Sequence, residues 1–156
     1  MPKFEFTSNL RGKQLPKRRT KGSAGYDFFA PCDFTIPSGW THLWNFIRKR
    51  AVVPAMVPTG VKAKMASNEA LFLYNRSSNP GRGLVMANGV GVIDSDYYNN
   101  ESNEGEICFM FYNLMPWSVK IEEGQKIGQG VFTLFRKTSD DEATATRKGG
   151  VGSTGK

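Results

Sequence analysis

An all-β fold is predicted by the way turn-forming residues punctuate this sequence. Seventeen glycines and eight prolines are spread through 156 residues, so few windows could hold a long helix. Between the turn residues lie short apolar runs of strand length, such as Ala70–Tyr74 and Ile107–Asn113. A hydrophobic content of 39% with 12% aromatic residues indicates one folded domain with a sizeable core. We therefore expect short strands joined by turns.

The N-terminal third of the chain is predicted to contain two strands and a basic loop. Lys3–Phe6 alternates like a short strand, and residues 10–21 are polar, basic and rich in turn formers. Residues 22–30 then place small residues ahead of an aromatic strand, with Asp27 at its start. Asp27 is either a turn acid satisfied by nearby amides or a carboxylate that orients water around a hard cation.

A short amphipathic helix is predicted next. Apolar residues recur at spacings of three and four at Trp40, Leu43, Trp44, Ile47 and Ala51. This pattern places Arg48 and Lys49 on the outer side of the helix. Trp44 and Phe46 also fit a strand, so the strand alternative stays open.

Histidine chemistry and disulfides are not indicated. His42 is the one histidine, which leaves neither a Ser-His-Asp triad nor a His-rich metal site within one subunit, and we expect it on the surface. Cys32 and Cys108 are far apart and have no partners at metal-ligand spacing. Met1–Phe4 lacks the apolar core of a signal peptide, and no run is long enough to span a bilayer. We expect a cytoplasmic, reduced protein with no membrane partner.

A formal net charge of +7 calls for an anionic partner or a solvated surface. The excess cations lie in residues 13–21, 48–50 and 147–156. Nucleic acid would explain them, but neither an aromatic-interleaved RNA motif nor a recognition-helix pattern is present. A polyphosphate small molecule is the competing explanation, because a few cations and backbone amides suffice to bind it. For Arg48–Arg50 a solvated basic face is the simpler interpretation.

Residues 87–97 form the central stretch of the sequence. Asn88-Gly89 favours a tight reversal, and the apolar residues Val90, Val92 and Ile93 predict a buried strand, so we expect a β-hairpin. Asp94 and Asp96 follow directly, and Tyr97 comes next. The hairpin would deliver two carboxylates to the mouth of a site. The alternative is a turn whose aspartates merely face water.

Polar residues at turns supply further candidates. The strand that ends at Tyr74 runs into Arg76-Ser77-Ser78, which offers the guanidinium fork and hydroxyl donors that phosphate oxygens require. Turns are also predicted at Val57–Val61, in the polar loop Asn99–Glu104, and at Gly124, which leads into the last strand.

The C-terminal segment has the composition of a flexible lid. Residues 138–146 carry no apolar side chain larger than alanine and predict a mobile linker. Gly150–Lys156 spells GxxxxGK, but no Ser or Thr follows Lys156 and no helix can begin there, so it is not a P-loop. Its glycine-rich backbone, with Arg147 beside it, suits an anion.

Five stretches in register resemble the trimeric deoxyuridine triphosphate pyrophosphatases (dUTPases). They are Ala24–Asp27, Arg76–Ser78, Gly91–Tyr97, Gly124–Gln129, and Arg147 with Gly149–Gly155. Leu15-Pro16 and Val57–Gly60 are similar to the family as well, and the match covers nearly the whole chain. The resemblance implies a jelly-roll-like β fold over residues 1–137, a flexible linker and lid over residues 138–156, and a homotrimer with sites at subunit boundaries.

The resemblance also implies an activity, the hydrolysis of dUTP to dUMP and pyrophosphate. Asp94 would activate the water that attacks the α-phosphorus. Tyr97 would pack beneath the deoxyribose and exclude a 2′-hydroxyl. The hairpin backbone, with Asn88 and Gly91, would read uracil.

The remaining roles concern the triphosphate. Phosphate contacts would come from Arg76, Ser77, Ser78 and Gln129. The lid would contribute Arg147, Val151, Gly152, Ser153 and Thr154. Mg²⁺ would bridge the phosphates, with Asp27 reaching it through water.

Three features depart from the family pattern. Val151 stands where the family has an aromatic residue that stacks on uracil, residues 99–104 lengthen one connection, and residues 40–55 lengthen another. Two other functions stay open, a dCTP deaminase of the same fold and a nucleotide-dependent regulator that binds another protein.

Overall fold

Eleven strands and one α-helix make up the part of the chain that the computed structural model describes, residues 1–9, 11–145, 147 and 149–150. The strands are β1 (Lys3–Phe6), β2 (Tyr26–Phe29), β3 (Phe34–Ile36), β4 (Ala55–Pro58), β5 (Val61–Lys64), β6 (Glu69–Tyr74), β7 (Leu84–Met86), β8 (Gly91–Ile93), β9 (Cys108–Asn113), β10 (Val119–Ile121) and β11 (Lys126–Leu134). Helix α1 spans Gly39–Ile47, and short 3₁₀ helices span Pro80–Arg82 and Ser95–Tyr97.

Two sheets enclose the core. One has the strand order β2-β11-β6-β8 and the other β4-β9-β7, and two further strand pairs, β1-β5 and β10-β3, complete the fold. All these pairings are antiparallel. Phe28 of β2 and Phe109 of β9 meet edge to face with ring centroids 5.4 Å apart, so the two larger sheets pack on one another. The all-β prediction is confirmed.

Partly exposed and buried residues alternate along β9, as expected for a strand with one face on the core and the other face outward. Phe109, Phe111 and Asn113 are buried, while the residues between them are partly exposed. The buried Asn113 amide is satisfied, because it donates to the backbone oxygens of Pro37 and Trp117 at 3.0 and 2.7 Å. The strand therefore ends on an amide that fixes two neighbouring loops.

The hairpin predicted for residues 87–97 is wrong. Gly89 does turn the chain, with φ of +65° and its N–H donating to Met86 O. The strands on either side then diverge, since β7 pairs with β9 and β8 pairs with β6 in the other sheet. The turn could be predicted from the local sequence, but the strands that pair with β7 and β8 could not.

The burial predicted for the strand after this turn is also wrong. Val90 and Val92 are exposed, whereas Gly91 is buried and Ile93 packs against the core. Side chains alternate along a strand, so Val92 faces outward while Gly91 and Ile93 face the core.

The predicted helix is confirmed, although it ends at Ile47 instead of continuing to Ala51. Its apolar stripe was expected to face the core, but Trp40, Trp44 and Ile47 are 60%, 55% and 62% exposed. The Arg48 guanidinium lies 4.4 Å from the centre of a Trp44 ring. None of the helices in the described residues is long and apolar enough to cross a lipid bilayer.

His42 differs from its predicted surface position. Its ring lies edge-on to Tyr112 at 5.3 Å, and both ring nitrogens are buried. The helix carries this side chain on the face that meets β9.

Close packing of the two sheets depends on Gly128 in β11. A β-carbon at this position would overlap the ring of Phe109, which is fully buried. The glycine lets the aromatic ring of one sheet lie directly on the backbone of the other.

Replacing Gly128 by alanine should therefore destabilise the fold. Overpacking against an immobile ring costs about 1–3 kcal/mol, and chemical denaturation measures the loss. Gly22→Ala is the matched control, because a β-carbon there meets no atom within 4 Å. Equal free energies of unfolding for the two variants would contradict this account of the sheet packing.

Candidate functional site

Three of the sequence-predicted site residues come together where β11 lies between β2 and β6. Gln129 of β11 is paired with Asp27 of β2 on one side and with Tyr74 of β6 on the other. Two residues after Tyr74 comes Arg76, whose Nη1 donates to Lys126 O at 3.3 Å. The antiparallel register thus collects residues from three distant segments. We call this group the arginine half-site.

The loop that carries Arg76 is held by buried amides. Asn79 is 2% exposed, and its Nδ2 donates to Asn75 Oδ1 at 2.7 Å and to Ile127 O at 2.9 Å. Asn75 in turn donates to Leu84 O at 2.9 Å. Ser77 and Ser78 stay exposed on this fixed loop. A guanidinium and two hydroxyls on a rigid turn can bind the oxygens of an anion.

Asp27 is not the turn acid that the sequence suggested as one alternative. It is the second residue of β2, and its carboxylate forms an ion pair with the ammonium group of Lys126. Both side chains are about three-quarters or more buried, at 18% and 24% exposure. The backbone of Asp27 also pairs with Lys17, which brings the basic residues 13–21 beside the arginine half-site.

Gly25, just before β2, leaves space for the side chain of Gln129. A β-carbon at Gly25 would overlap the side-chain amide of Gln129. The Gln129 Nε2 also lies 3.5 Å from Asn75 O. Glycine at position 25 therefore leaves the space in which the Gln129 amide lies between two strands.

A second group forms around the end of β8, and we call it the aspartate half-site. Asp94 and Asp96 are half exposed, and Arg147 lies between them, with Nη1 at 3.2 Å from Asp94 Oδ2 and 3.8 Å from Asp96 Oδ1. The Arg147 side chain is only 10% exposed, and its Nε has no hydrogen-bond partner among the described residues. The buried guanidinium therefore keeps one donor that the described residues do not satisfy.

Tyr97 forms the floor of the aspartate half-site. It is 3% exposed, and the Arg147 guanidinium lies 5.2 Å from its ring centre. Its hydroxyl donates to Glu106 O at 2.9 Å and accepts from Asn103 Nδ2 at 2.7 Å. Burial raises the pKa of the Tyr97 hydroxyl, because a phenolate would lose its hydration. The Tyr97 side chain therefore stays uncharged where it lines the half-site.

The two half-sites lie toward opposite ends of β6. Ile93 pairs with Leu71, so the register places Asp94 beside Ala70 at the start of β6, whereas Arg76 follows the other end of that strand. The four residue steps from Ala70 to Tyr74 alone span about 13 Å. Asp94 and Arg76 thus lie at opposite ends of one strand.

Arg147 of the C-terminal segment contacts Asp94 and Asp96 of its own chain. The register explains this, since Leu134 at the end of β11 pairs with Glu69. The segment therefore leaves the sheet at the end where Asp94 lies.

The other predicted residues have the following places. Asn88 is exposed at the turn before β8, and Gly91 is buried in β8 opposite Leu73. Val151, Gly152, Ser153 and Thr154 lie outside the described residues.

Sequence reasoning missed two side chains. Lys126 lies three residues before Gln129, within a stretch recognised only as a motif, and Asn103 lies in the 99–104 insertion. Lys126 acts through Asp27, which is far away in the sequence. Asn103 lies in a loop without a periodic pattern, so no local feature of the sequence indicated either residue.

Comparison with known proteins agrees with this geometry. The dUTPase family model matches residues 11–155, so the chain belongs to the dUTPase family. It is 43% identical over 157 residues to a deoxyuridine 5′-triphosphate nucleotidohydrolase of Lactococcus lactis, covering 97% of this chain and 96% of that one. An enzyme of the same name from Haemophilus ducreyi is 32% identical over 164 residues, covering 98% and 95%.

Solved structures give the same fold. A dUTPase from Streptococcus mutans superposes with a TM-score of 0.74 at 40% identity, covering 86% of this chain and 97% of that one. A mutant dUTPase from phage phi11 of S. aureus, which coordinates a structural Mg(II) ion, gives a TM-score of 0.69 at 17% identity over 93% and 97%. The jelly-roll-like fold expected from the sequence is confirmed.

The buried position of Tyr97 predicts how its hydroxyl titrates. In protein labelled with ¹³C at the tyrosine ζ-carbon, the Tyr97 resonance should titrate above the ordinary pKa of 10.0, because ionisation must place a charge in a buried site. Tyr97→Phe identifies the signal among the five tyrosines. A midpoint at or below 10.0 would mean that the ring is open to solvent.

Proposed function

We propose that this chain hydrolyses dUTP to dUMP and pyrophosphate, with Asp94 orienting the water that attacks the α-phosphorus. Membership of the dUTPase family and 43% identity to a named nucleotidohydrolase support the reaction. The observation that carries the mechanism is the division of the charged residues into an aspartate half-site and an arginine half-site, because hydrolysis of a triphosphate needs both a water-orienting carboxylate and donors for phosphate oxygens.

The aspartate half-site is suited to the chemical step. Asp94 is exposed enough to accept a hydrogen bond from a water molecule, and β8 fixes its backbone. Arg147 Nη1 lies 3.2 Å from its carboxylate, and this guanidinium is proposed to stabilise the negative charge that grows on the phosphate oxygens as water adds to phosphorus. The positive charge stabilises that transition state without taking part in bond making.

Recognition of the nucleoside is proposed for residues of β8 and of the segments on either side of it. Tyr97 is proposed to place its neutral ring face beneath the deoxyribose and to leave no room for a 2′-hydroxyl, once Arg147, which covers the ring in this structure, has moved onto the substrate. Asn88 lies in the turn before β8, Gly91 begins the strand and Asp94 follows its last residue, so a base bound beside Asn88 and Gly91 reaches the carboxylate through its sugar. A uracil held by backbone groups is distinguished from thymine by the space that a methyl group would need.

The triphosphate is proposed to lie across the arginine half-site. Arg76, Ser77 and Ser78 stand on the rigid turn after β6, and Gln129 faces them from β11. The basic residues 13–21, joined to β2 through Lys17 and Asp27, add positive charge around this end of the sheet. Such a field attracts a polyphosphate and favours fast association.

Mg²⁺ fits the donors that this chain offers. Mg²⁺ in nucleotide sites takes one or two carboxylates and completes its shell with water and phosphate oxygens. Asp27 would accept hydrogen bonds from water ligands of the ion, beside Gln129 and with Lys126 as its existing partner. The ion, when bound with substrate, neutralises phosphate charge.

The separation of the half-sites supports a homotrimer with shared sites. The two groups lie at opposite ends of β6, so in this arrangement a single dUTP takes Asp94 from one copy and Arg76 from the next. Copies related by a closed rotation complete every site in this way, and three copies are the family's arrangement.

The lid is proposed to comprise residues 138–156. Arg147 already lies on the aspartate half-site, and Val151, Gly152, Ser153 and Thr154 would follow the phosphate chain from there. Backbone amides in glycine-rich sequence wrap anions without steric cost.

The test of this function is incubation of the purified chain with each deoxynucleoside triphosphate and Mg²⁺. We expect pyrophosphate and the monophosphate from dUTP alone, with UTP a very poor substrate. Release of ammonia from dCTP, or cleavage of UTP as fast as dUTP, would refute the proposal.

Asp94→Asn should reduce turnover by at least about a hundredfold, the range that general acid–base groups contribute. Binding of the non-hydrolysable analogue dUpNHpp should change little, because the amide keeps the shape of the side chain. Single-turnover rates and calorimetric titration separate the two effects. Near-parent turnover would remove Asp94 from the mechanism.

The assembly has its own test. The chain mass is 17.3 kDa, and light scattering should give about three times that value for the active species. Activity per chain should fall on dilution into the range where monomers form. A monomer with full activity would contradict the shared site.

A further inference from the structure

The 99–104 insertion is organised by a single buried amide. Asn100 is 7% exposed, and its Oδ1 accepts from Ser102 N, Ser102 Oγ and Asn103 N at 3.0, 2.8 and 3.2 Å. Its Nδ2 donates to Tyr97 O at 2.9 Å and to Asn103 Oδ1 at 2.7 Å. The insertion is therefore a closed hydrogen-bonded loop joined to the residue that forms the floor of the aspartate half-site.

Asn103 is the residue of this loop that reaches the Tyr97 side chain. Its Nδ2 donates to Tyr97 Oη at 2.7 Å, while its Oδ1 accepts from Gly105 N at 3.2 Å. The Tyr97 hydroxyl donates its own proton to Glu106 O at 2.9 Å. A phenol can donate once, so this hydroxyl uses its donor and also accepts.

The acceptor of the Tyr97 hydroxyl is itself fixed. Glu106 is 8% exposed, and its carboxylate accepts from Gly60 N at 2.8 Å and from Asn9 Nδ2 at 3.2 Å. The far end of the Tyr97 ring is thus held between a rigid backbone carbonyl and the amide of Asn103.

The C-terminal segment approaches the same loop. A β-carbon at Gly150 would lie 2.8 Å from Ser102 Oγ and 3.5 Å from the Asn103 carboxamide. Arg147, three residues earlier, covers the Tyr97 ring. One loop therefore supports the floor of the aspartate half-site and also borders the segment that covers it.

We propose that Asn103 is a positioning residue for sugar discrimination, which holds the Tyr97 ring where it excludes a 2′-hydroxyl. The inference rests on the proposed function. The Tyr97 ring can exclude a single oxygen atom by volume only if the ring stays in one position. The hydrogen bond from Asn103 to the Tyr97 hydroxyl restricts the movement of the ring. Without the Asn103 donor, the ring keeps only its bond to Glu106 O and gains room to move away from the sugar.

The readout is the ratio of kcat/KM for dUTP to kcat/KM for UTP. We expect Asn103→Ala to lower this ratio about five- to tenfold, the effect of one lost hydrogen bond, mainly by raising UTP cleavage. Glu101→Ala is the matched control, since Glu101 is an exposed residue of the same loop, and its ratio should equal that of the parent.

A double-mutant cycle with Tyr97→Phe separates positioning from mere loop stability. Tyr97→Phe keeps the ring and the loop but removes the hydroxyl, so it should lower the ratio by a similar factor. Asn103→Ala should then have little further effect in the Tyr97→Phe background. Equal effects of Asn103→Ala in both backgrounds would overturn the proposal, because Asn103 would not act through Tyr97.

Different results would refute the proposed dUTP hydrolysis and the proposed positioning of Tyr97 by Asn103. A parent enzyme that does not cleave dUTP refutes the proposed function. A parent that discriminates normally, with Tyr97→Phe discriminating as well as the parent, refutes only the positioning, and this holds even where Asn103→Ala fails to fold. Thermal unfolding of each variant shows which ratios come from folded protein.

Discussion

The pairing of β8 with β6 is the constraint on which the rest of the site depends. Leu71 opposite Ile93 and Leu73 opposite Gly91 fix where β8 ends, and Asp94 is its next residue. The same strand β6 carries Arg76 beyond its other end. Because side chains alternate along a strand, a slip of one residue would exchange the buried Gly91 and the exposed Val92. Register thus sets the position of the carboxylate and its separation from the guanidinium, and that separation is the basis of the proposed shared site.

Buried amides do much of the positioning that hydrophobic packing cannot. Asn79 fixes the arginine loop, Asn113 fixes the ends of two connections, and Asn100 closes the loop behind Tyr97. All three are buried and hydrogen-bonded through side-chain atoms, as the cost of burying an unpaired amide requires. Asparagine can both donate and accept across a turn, so each of these residues holds backbone groups that no strand partner could satisfy.

Much of the fold and part of the site could be predicted from the sequence. Glycine and proline spacing indicated the all-β class, and the order of the five motifs indicated the family, because both signals are local or depend only on order. The partners of the strands could not be predicted, since β7 and β8 look like a hairpin from their turn alone and pair elsewhere through long-range contacts. The outward face of Trp40 and Trp44 was missed for a related reason, because periodicity shows that a stripe exists but not which way it points.

Only part of each half-site could be predicted from the sequence. Asp94 and Arg76 were recognisable as chemical groups, but the pairing of Asp27 with Lys126 and of Tyr97 with Asn103 required the folded chain. The resemblance implied sites at subunit boundaries, but the sequence did not show which residues lie apart, because the separation of Asp94 and Arg76 is a property of the sheet. The central claim is therefore geometric, namely that a working site takes these two residues from different copies.

Mixing two inactive variants tests this claim most directly. Asp94→Asn and Arg76→Ala, each inactive alone, are unfolded together in equal amounts, refolded, and assayed for dUTP cleavage, with native mass spectrometry verifying mixed trimers. A site shared between copies predicts activity from about a quarter of the sites, those that pair an intact Asp94 with an intact Arg76 of the next chain. The matched control is Asp94→Asn with Tyr97→Ala, which alter the same half-site and should regain nothing. Mixed trimers of Asp94→Asn and Arg76→Ala that stay inactive would contradict the account.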